Sequence, residues 1–357
     1  MTKKSARQLV SPTRRRLLQA LPLLGLPGLL RAQPGAGIAL RKLHSFDLQV
    51  SDVARSLAFY QQLFAAPVQA RQGERVCLCI GTGPHYFSLS PQSEGNTPHI
   101  SQIGLSVANF DIERVREQLL AFGISRAPVP EPGQPALHKA LQSWVEVREP
   151  SSGGAATGTP ELYFADIEGL VFHLTATDYC GGSGVTGNVC NSIETAETAG
   201  LMELVDISHF TNFVSNRERA NTFYTTTFNK DYQVYQGPNA PVIGIGDGIQ
   251  FLMFIGGAQS GPPEAPATIH HACFSVNDFN VAELRARLTS VGLSPLADGE
   301  EIGPMKHWVS MRMPDRGGAP GGTPELYFTD PDGIRIQLQD PGYCGGTGYL
   351  GDSCPAL

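Results

Sequence analysis

The sequence predicts an α+β fold: two tandem copies of one domain, each copy assembled from two β-α-β-β-β modules. The first observation behind this is an internal repeat. Thr159-Pro160-Glu161-Leu162-Tyr163-Phe164, with Asp166 and Gly169, returns as Thr323-Pro324-Glu325-Leu326-Tyr327-Phe328, with Asp330 and Gly333. Tyr179-Cys180-Gly181-Gly182 and Cys190 return as Tyr343-Cys344-Gly345-Gly346 and Cys354. Self-similarity over this length is the signature of a duplicated domain. The second observation is the order of patterns inside each copy, which runs strand, helix, strands, twice over.

In the first copy, Phe46 to Val50 alternates as a strand should. Asp52 caps a helix over Val53 to Phe64, with Leu57, Tyr60 and Leu63 on one face. Cys77–Ile80 and Tyr86–Leu89 are its following strands. Ile103 to Val107 opens the second module, Asp111 to Phe122 is its helix, stopped by Gly123, and strands follow at 144–147, 162–164 and 170–174. The second copy repeats the order. Strands at 210–214, 242–245 and 250–254 accompany a helix at 217–228. Strands at 272–276, 308–313, 326–328 and 334–338 accompany a helix at 281–291.

Residues 1–36 read as an export signal, leaving copies at 37–194 and 195–357. Lys3, Lys4, Arg7 and Arg14-Arg15-Arg16 precede a short apolar run from Leu17 to Leu30, and small residues follow at Ala32, Gly35 and Ala36. The run is too short for a membrane span. Thr13-Arg14-Arg15-Arg16-Leu17-Leu18 resembles a twin-arginine signal, which places the mature protein in the periplasm or outside the cell. Removing that segment leaves 19 of the 26 basic residues against 33 acidic ones, a net charge of −14. So acidic a chain is a poor nucleic-acid ligand. No second long apolar stretch exists, so no membrane association is expected after cleavage; whether two chains pair stays open. Cys180/Cys190 and Cys344/Cys354 each close a Gly-rich loop and read as disulfides in an oxidising compartment. A thiolate metal site is the alternative, which the ten-residue spacing and the lack of a nearby His disfavour. Cys77, Cys79 and Cys273 lie in apolar runs and read as buried thiols.

Strand–Asp–helix with Phe59-Tyr60 or Phe223-Tyr224, followed by Leu326-Tyr327-Phe328-Thr329-Asp330-Pro331-Asp332-Gly333, resembles the vicinal oxygen chelate superfamily. That superfamily includes glyoxalase I, the extradiol dioxygenases and the bleomycin-resistance proteins. The resemblance covers residues 40–340 and implies two cupped mixed β-sheets of paired βαβββ modules, with a metal in a cup. Its ligand positions fall on His209, His271 and Gln337. Two imidazoles and one oxygen ligand suit a divalent cation with open positions: Fe(II) first, then Mn(II), Ni(II) or Zn(II). The substrate would be a small molecule chelating through two oxygens. Tyr327 would donate a hydrogen bond to the bound oxygen anion. His307 is a candidate acid/base group, with a surface role as its alternative.

The extradiol pattern asks for Glu where Gln337 stands. Glu325 is the spare carboxylate, but its twin Glu161 persists in the other copy, so Glu325 reads as structural, tied to Arg312 or Lys306. Repeat alignment sets His209 against Ser45, His271 against Gln102 and Gln337 against His173. The first copy thus keeps the fold without the two histidines. His44 and His99 stand out of phase for the cup unless a bulge re-aims them, and His270 should point away from it. Trp144 and Trp308 match between copies and read as core. The leading function is a metal-dependent dioxygenase- or glyoxalase-like enzyme. Its alternatives are a non-catalytic periplasmic binding protein of the bleomycin-resistance type and a structural protein.

Overall fold

The computed structural model describes residues 37–131, 139–191 and 193–355; the export signal expected at 1–36 lies outside them. The first module contains β1 (Leu40–Val50), α1 (Val53–Phe64), β2 (Val68–Gln72), β3 (Arg75–Cys79) and β4 (Tyr86–Pro91). The second contains β5 (His99–Val107), α2 (Ile112–Ala121), the short β6 (Ser125–Arg126), β7 (Gln142–Arg148), β8 (Thr159–Ala165) and β9 (Val171–Thr175). The second half repeats this as β10 (Leu204–Val214), α3 (Arg217–Thr227), β11 (Tyr232–Tyr235), β12 (Pro241–Gly244) and β13 (Phe251–Gly256). It continues with β14 (Thr268–Val276), α4 (Val281–Ser290), β15 (Ser294–Pro295), β16 (Lys306–Arg312), β17 (Thr323–Thr329) and β18 (Arg335–Gln339).

Each half forms one mixed sheet. In the first the pairing runs β2-β3-β4-β1-β5-β9-β8-β7-β6, with β1–β4 and β5–β9 parallel. The second follows the same order from β11 to β15. A single pairing, Ile269 with Ile100, joins the two sheets. All four helices start on an Asx cap: Asp52, Asp111, Asn216 and Asn280 each accept a backbone N–H with the side chain.

The sheets put their apolar faces toward each other. Phe46 on β1 meets Phe210 on β10 and Phe274 on β14, both at 5.4 Å between ring centroids. Helix α1 lies in this shared layer. Its Phe59 reaches Phe328 and its Phe64 reaches Phe274, both in the other half. Helix α3 does the reciprocal, with Tyr224 against Phe172 and Phe228 against Phe164. Two matched hydrogen bonds lock the exchange. Tyr60 donates to Asp330 at 3.1 Å, and Tyr224 donates to Asp166 at 2.9 Å. Outside them, Arg55 pairs with Asp332 at 2.6 Å and Arg219 with Glu168 at 2.5 Å. The repeated aspartates therefore serve the joint between halves. Burial pushes the carboxyl of Asp166 up to about 7 and that of Asp330 to about 6.

The repeated Glu also has a structural task. Arg312 donates from Nε to Glu325 at 3.0 Å and from its other nitrogens to Gly317 and Gly346 carbonyls. Arg148 and Glu161 reproduce the pair at 3.0 Å. Tyr343 and Tyr179 add their hydroxyls to the same carboxylates. Glu325 is thus tied to Arg312 as expected, while Lys306 pairs with Glu300. The Gly-rich loops anchored this way are closed by the Cys180–Cys190 and Cys344–Cys354 disulfides. Cys77 and Cys273 are buried thiols, whereas Cys79 is only half-buried, a departure from the expectation.

Removing the clasp hydroxyls should weaken the joint. Tyr60→Phe and Tyr224→Phe each leave a buried carboxyl short of a donor and should each cost about 1–3 kcal/mol. Urea unfolding should show a lower midpoint with unchanged slope; an unchanged midpoint in both variants would remove the clasp from the energetics.

Candidate metal centre

The concave face of the second sheet is set by strand alternation. His209 on β10, His271 on β14, and Tyr327 and Gln337, neighbours in register on β17 and β18, share it. His209 Nε2 lies 3.2 Å from Gln337 Oε1. The rings of His209 and His271 stand edge to face, 5.5 Å apart. The structure thus brings the three expected ligand positions together from three strands.

The surroundings fix each ring. His209 Nδ1 lies 3.1 Å from the Ser208 hydroxyl, and the ring stacks on Phe251 at 4.4 Å and on Tyr343 at 5.5 Å. His271 Nδ1 lies 2.8 Å from His270 Nδ1. The far nitrogens are those left over: His271 Nε2 and Gln337 Nε2 are buried with no hydrogen-bond partner. Buried polar atoms are normally satisfied; of these two only His271 Nε2 has a lone pair to offer, and an unpartnered imidazole nitrogen is what a missing electrophile would leave. Burial lowers His209 to about 3, and burial first, then the His209 ring, lowers His271 well below the ordinary imidazole value. Both rings are neutral at physiological pH, the state a metal requires. Among the described residues no cluster of three His, Cys, Asp or Glu could hold a metal, so any site here depends on the glutamine.

Three placements differ from expectation. His307 pairs in register with Phe328, while its neighbour Trp308 pairs with Tyr327. Alternation therefore turns His307 away from the cup, and its Nε2 meets Thr289 of α4 at 3.0 Å. It is a buried helix–sheet contact, neither an acid/base group of the cup nor a surface residue. Tyr327 is in the cup, 5.3 Å from the His271 ring, but its hydroxyl donates to Glu325 at 3.2 Å instead of standing free. His270 was expected to face away. The β10–β14 register skips it, since Thr211 pairs with His271 and Asn212 with Ile269. This bulge turns His270 back toward the mouth, where it stacks on Phe213 at 4.2 Å and contacts Arg335.

Arg335 was missed in the sequence although the signal was present, because it lies two residues before Gln337 and so shares its face. Its guanidinium covers Trp308 at 5.4 Å, and Trp308 stacks on Tyr327 at the same separation. Trp308 is therefore a cup wall, not core. In the first half a bulge does re-aim His44, which is fully buried against Tyr86 and Tyr179. His99 stays exposed.

His44 gives a test of buried neutral imidazoles free of any metal. Burial and the His85 ring nearby lower it to about 3 from its ordinary 6.5. Between those values the unfolded chain binds more protons than the folded one, so stability falls as pH drops from 6.5 toward 3. His44→Gln should flatten this slope by up to about 1.4 kcal/mol per pH unit. Urea midpoints from pH 4 to 7, with chelator present, would measure it; identical slopes would refute a buried neutral His44.

No protein-family model matches the sequence, and no curated protein does. Solved structures match it in three dimensions. The Mn(II)-bound glyoxalase from Novosphingobium aromaticivorans superposes with a TM-score of 0.54, covering 84% of this chain and 82% of that one at 16% identity. Homoprotocatechuate 2,3-dioxygenase from Brevibacterium fuscum, in complex with 3,4-dihydroxyphenylacetate, gives 0.54 over 86% and 83% at 18% identity. A catechol 2,3-dioxygenase gives 0.53 over 90% and 91% at 15% identity. At these identities the likeness is one of fold: this chain has the α+β fold of those glyoxalase and dioxygenase structures.

Proposed function

We propose that the second half is a metal-dependent centre for a small substrate that chelates through two oxygens, in the manner of a dioxygenase or a glyoxalase. The observation that carries this reading is the convergence of His209, His271 and Gln337 from three strands, with the buried His271 Nε2 left unpartnered. A divalent cation held by these three would supply an electrophile for two substrate oxygens, with Fe(II) the first candidate. An amide in place of a carboxylate leaves the ligand set neutral, which weakens metal retention and favours an anionic substrate. The same face carries a cation for such a substrate in Arg335, and an aromatic wall in Trp308 and Tyr327.

The residues around the trio have defined tasks. Phe251 and Tyr343 hold the His209 ring in plane and keep water from it. Ser208 holds its Nδ1, which leaves Nε2 for the cation. Tyr327 keeps its proton, because burial first and then the Glu325 carboxylate raise it well above the ordinary phenol range. It can therefore orient a ligand but not serve as a base near neutrality. Location in the periplasm is part of the proposal, supported by the two disulfides and by the basic-then-apolar N-terminal sequence.

Elemental analysis of protein matured in the periplasm tests this, beside His209→Ala/His271→Ala. About one equivalent of iron, manganese, nickel or zinc is expected in the first and none in the second. Chelator should lower the melting temperature of the parent only, since a ligand at 100 times its Kd adds about 2.7 kcal/mol. No metal in either protein, even after anaerobic reconstitution, would overturn the enzyme reading and leave a binding protein on this fold.

A further inference from the structure

The first cup lacks counterparts of His209 and His271, carries His173 at the Gln337 position, stacked on Tyr163 at 4.6 Å, and has a different polar floor. Asp47 takes the position of Thr211, since both pair with the residues aligned in the two copies, Gln102 and His271. Arg75 takes that of Ala240: each precedes the residue paired with the matched Arg71 and Tyr235. The two changes belong together. Asp47 is fully buried and accepts from the Ser88, Ser90 and Ser101 hydroxyls at 2.7, 2.7 and 2.8 Å. Arg75 Nε stands 3.3 Å from it, and Arg75 Nη1 donates to Gln72 at 3.2 Å. Among the described residues Nη2 makes no hydrogen bond. A guanidinium thus stands in the cup whose twin holds the histidine pair.

A cavity of about 560 Å³ opens over this floor. Its wall includes Trp144 stacked on Tyr163 at 5.9 Å, the counterpart of Trp308 on Tyr327. Gln102 also lines it, as do Glu131, Glu146 and Lys139. With Arg75 and Asp47 these groups carry a net charge of −1, so a simple anion is poorly matched. The arrangement fits a ligand with both signs: a fork for a carboxylate at the floor, and acids with an indole face for a cation.

We propose that the first cup is a second ligand site, for a small zwitterion of the amino-acid type. Its carboxylate binds Arg75 Nη2, its ammonium faces Glu146 and Glu131, and its apolar body lies along Trp144 and Tyr163. This site is independent of the histidine pair and needs no metal.

Titration calorimetry with L-phenylalanine as the probe tests it, alongside 3-phenylpropionate, which lacks the ammonium. Phenylalanine should bind the parent and bind His209→Ala/His271→Ala equally well. Arg75→Lys keeps the buried charge balance but loses the fork, and should weaken binding at least about 10-fold. Glu146→Gln, which keeps an acceptor oxygen for the Trp144 indole N–H now bound at 2.9 Å, should weaken phenylalanine about 3-fold or more and leave 3-phenylpropionate unchanged. No binding of phenylalanine, equal binding by Arg75→Lys, or 3-phenylpropionate binding as tightly as phenylalanine would each overturn the assignment.

Discussion

Both cups rest on a buried arginine–glutamate pair. Arg312 with Glu325, and Arg148 with Glu161, join the strand at the cup edge to the strand carrying the ring wall. The same guanidinium then reaches carbonyls of the disulfide-closed loop. A buried ion pair adds little over a well-packed apolar substitute, but losing one partner strands a charge and costs about 3–5 kcal/mol. Neither member can drift alone, which accounts for its survival in a half that has lost its histidines. It also decides the chemistry of the other half. Glu325 accepts from Tyr327, a residue of the same cup, yet it is held by an arginine and two phenols and is not at liberty to bind a cation.

The duplicated frame allows each cup to serve as the control for its twin. What is common to both is scaffold: the Arg–Glu pair, the Tyr–Asp clasp, the Trp–Tyr stack, the closing disulfide. What differs is where ligand chemistry must reside. In one cup the difference is two imidazoles and an amide; in the other it is an aspartate, an arginine, three hydroxyls and the His173 imidazole at the amide's position. The substitutions are coordinated and electrically balanced, which random decay of an unused site does not require.

Much of this was legible in the sequence for specific reasons. The repeat set the equivalences, Asp52 marked the start of α1, and the family resemblance put His209, His271 and Gln337 at ligand positions. What was not legible has a common origin in one-residue irregularities. The bulges at His270 and His44 reverse a side chain without leaving a trace in the alternation pattern. His307 was misplaced for the opposite reason, because regular alternation beside Trp308 was not followed through to the helix face. The strand β1 begins at Leu40, six residues before its apolar pattern is visible, since Lys42 and His44 interrupt the hydrophobic run. The second ligand floor escaped because Asp47 and Arg75 are 28 positions apart and look like ordinary surface charges until β1 and β3 are folded into one cup.

The exchange of helices α1 and α3 across the shared aromatic layer bears on how such a molecule can change over generations. Each half completes the other's hydrophobic interior, and the main buried cluster of the described residues runs through both. A gene shortened to its histidine-bearing half would lose Phe59, Tyr60 and Phe64, and with them part of the packing behind β14 and β17. The first half therefore cannot be discarded, whatever its own cup binds. Its back is held by packing while its concave face is open to revision, so a duplicated frame leaves room for a second binding chemistry without disturbing the first.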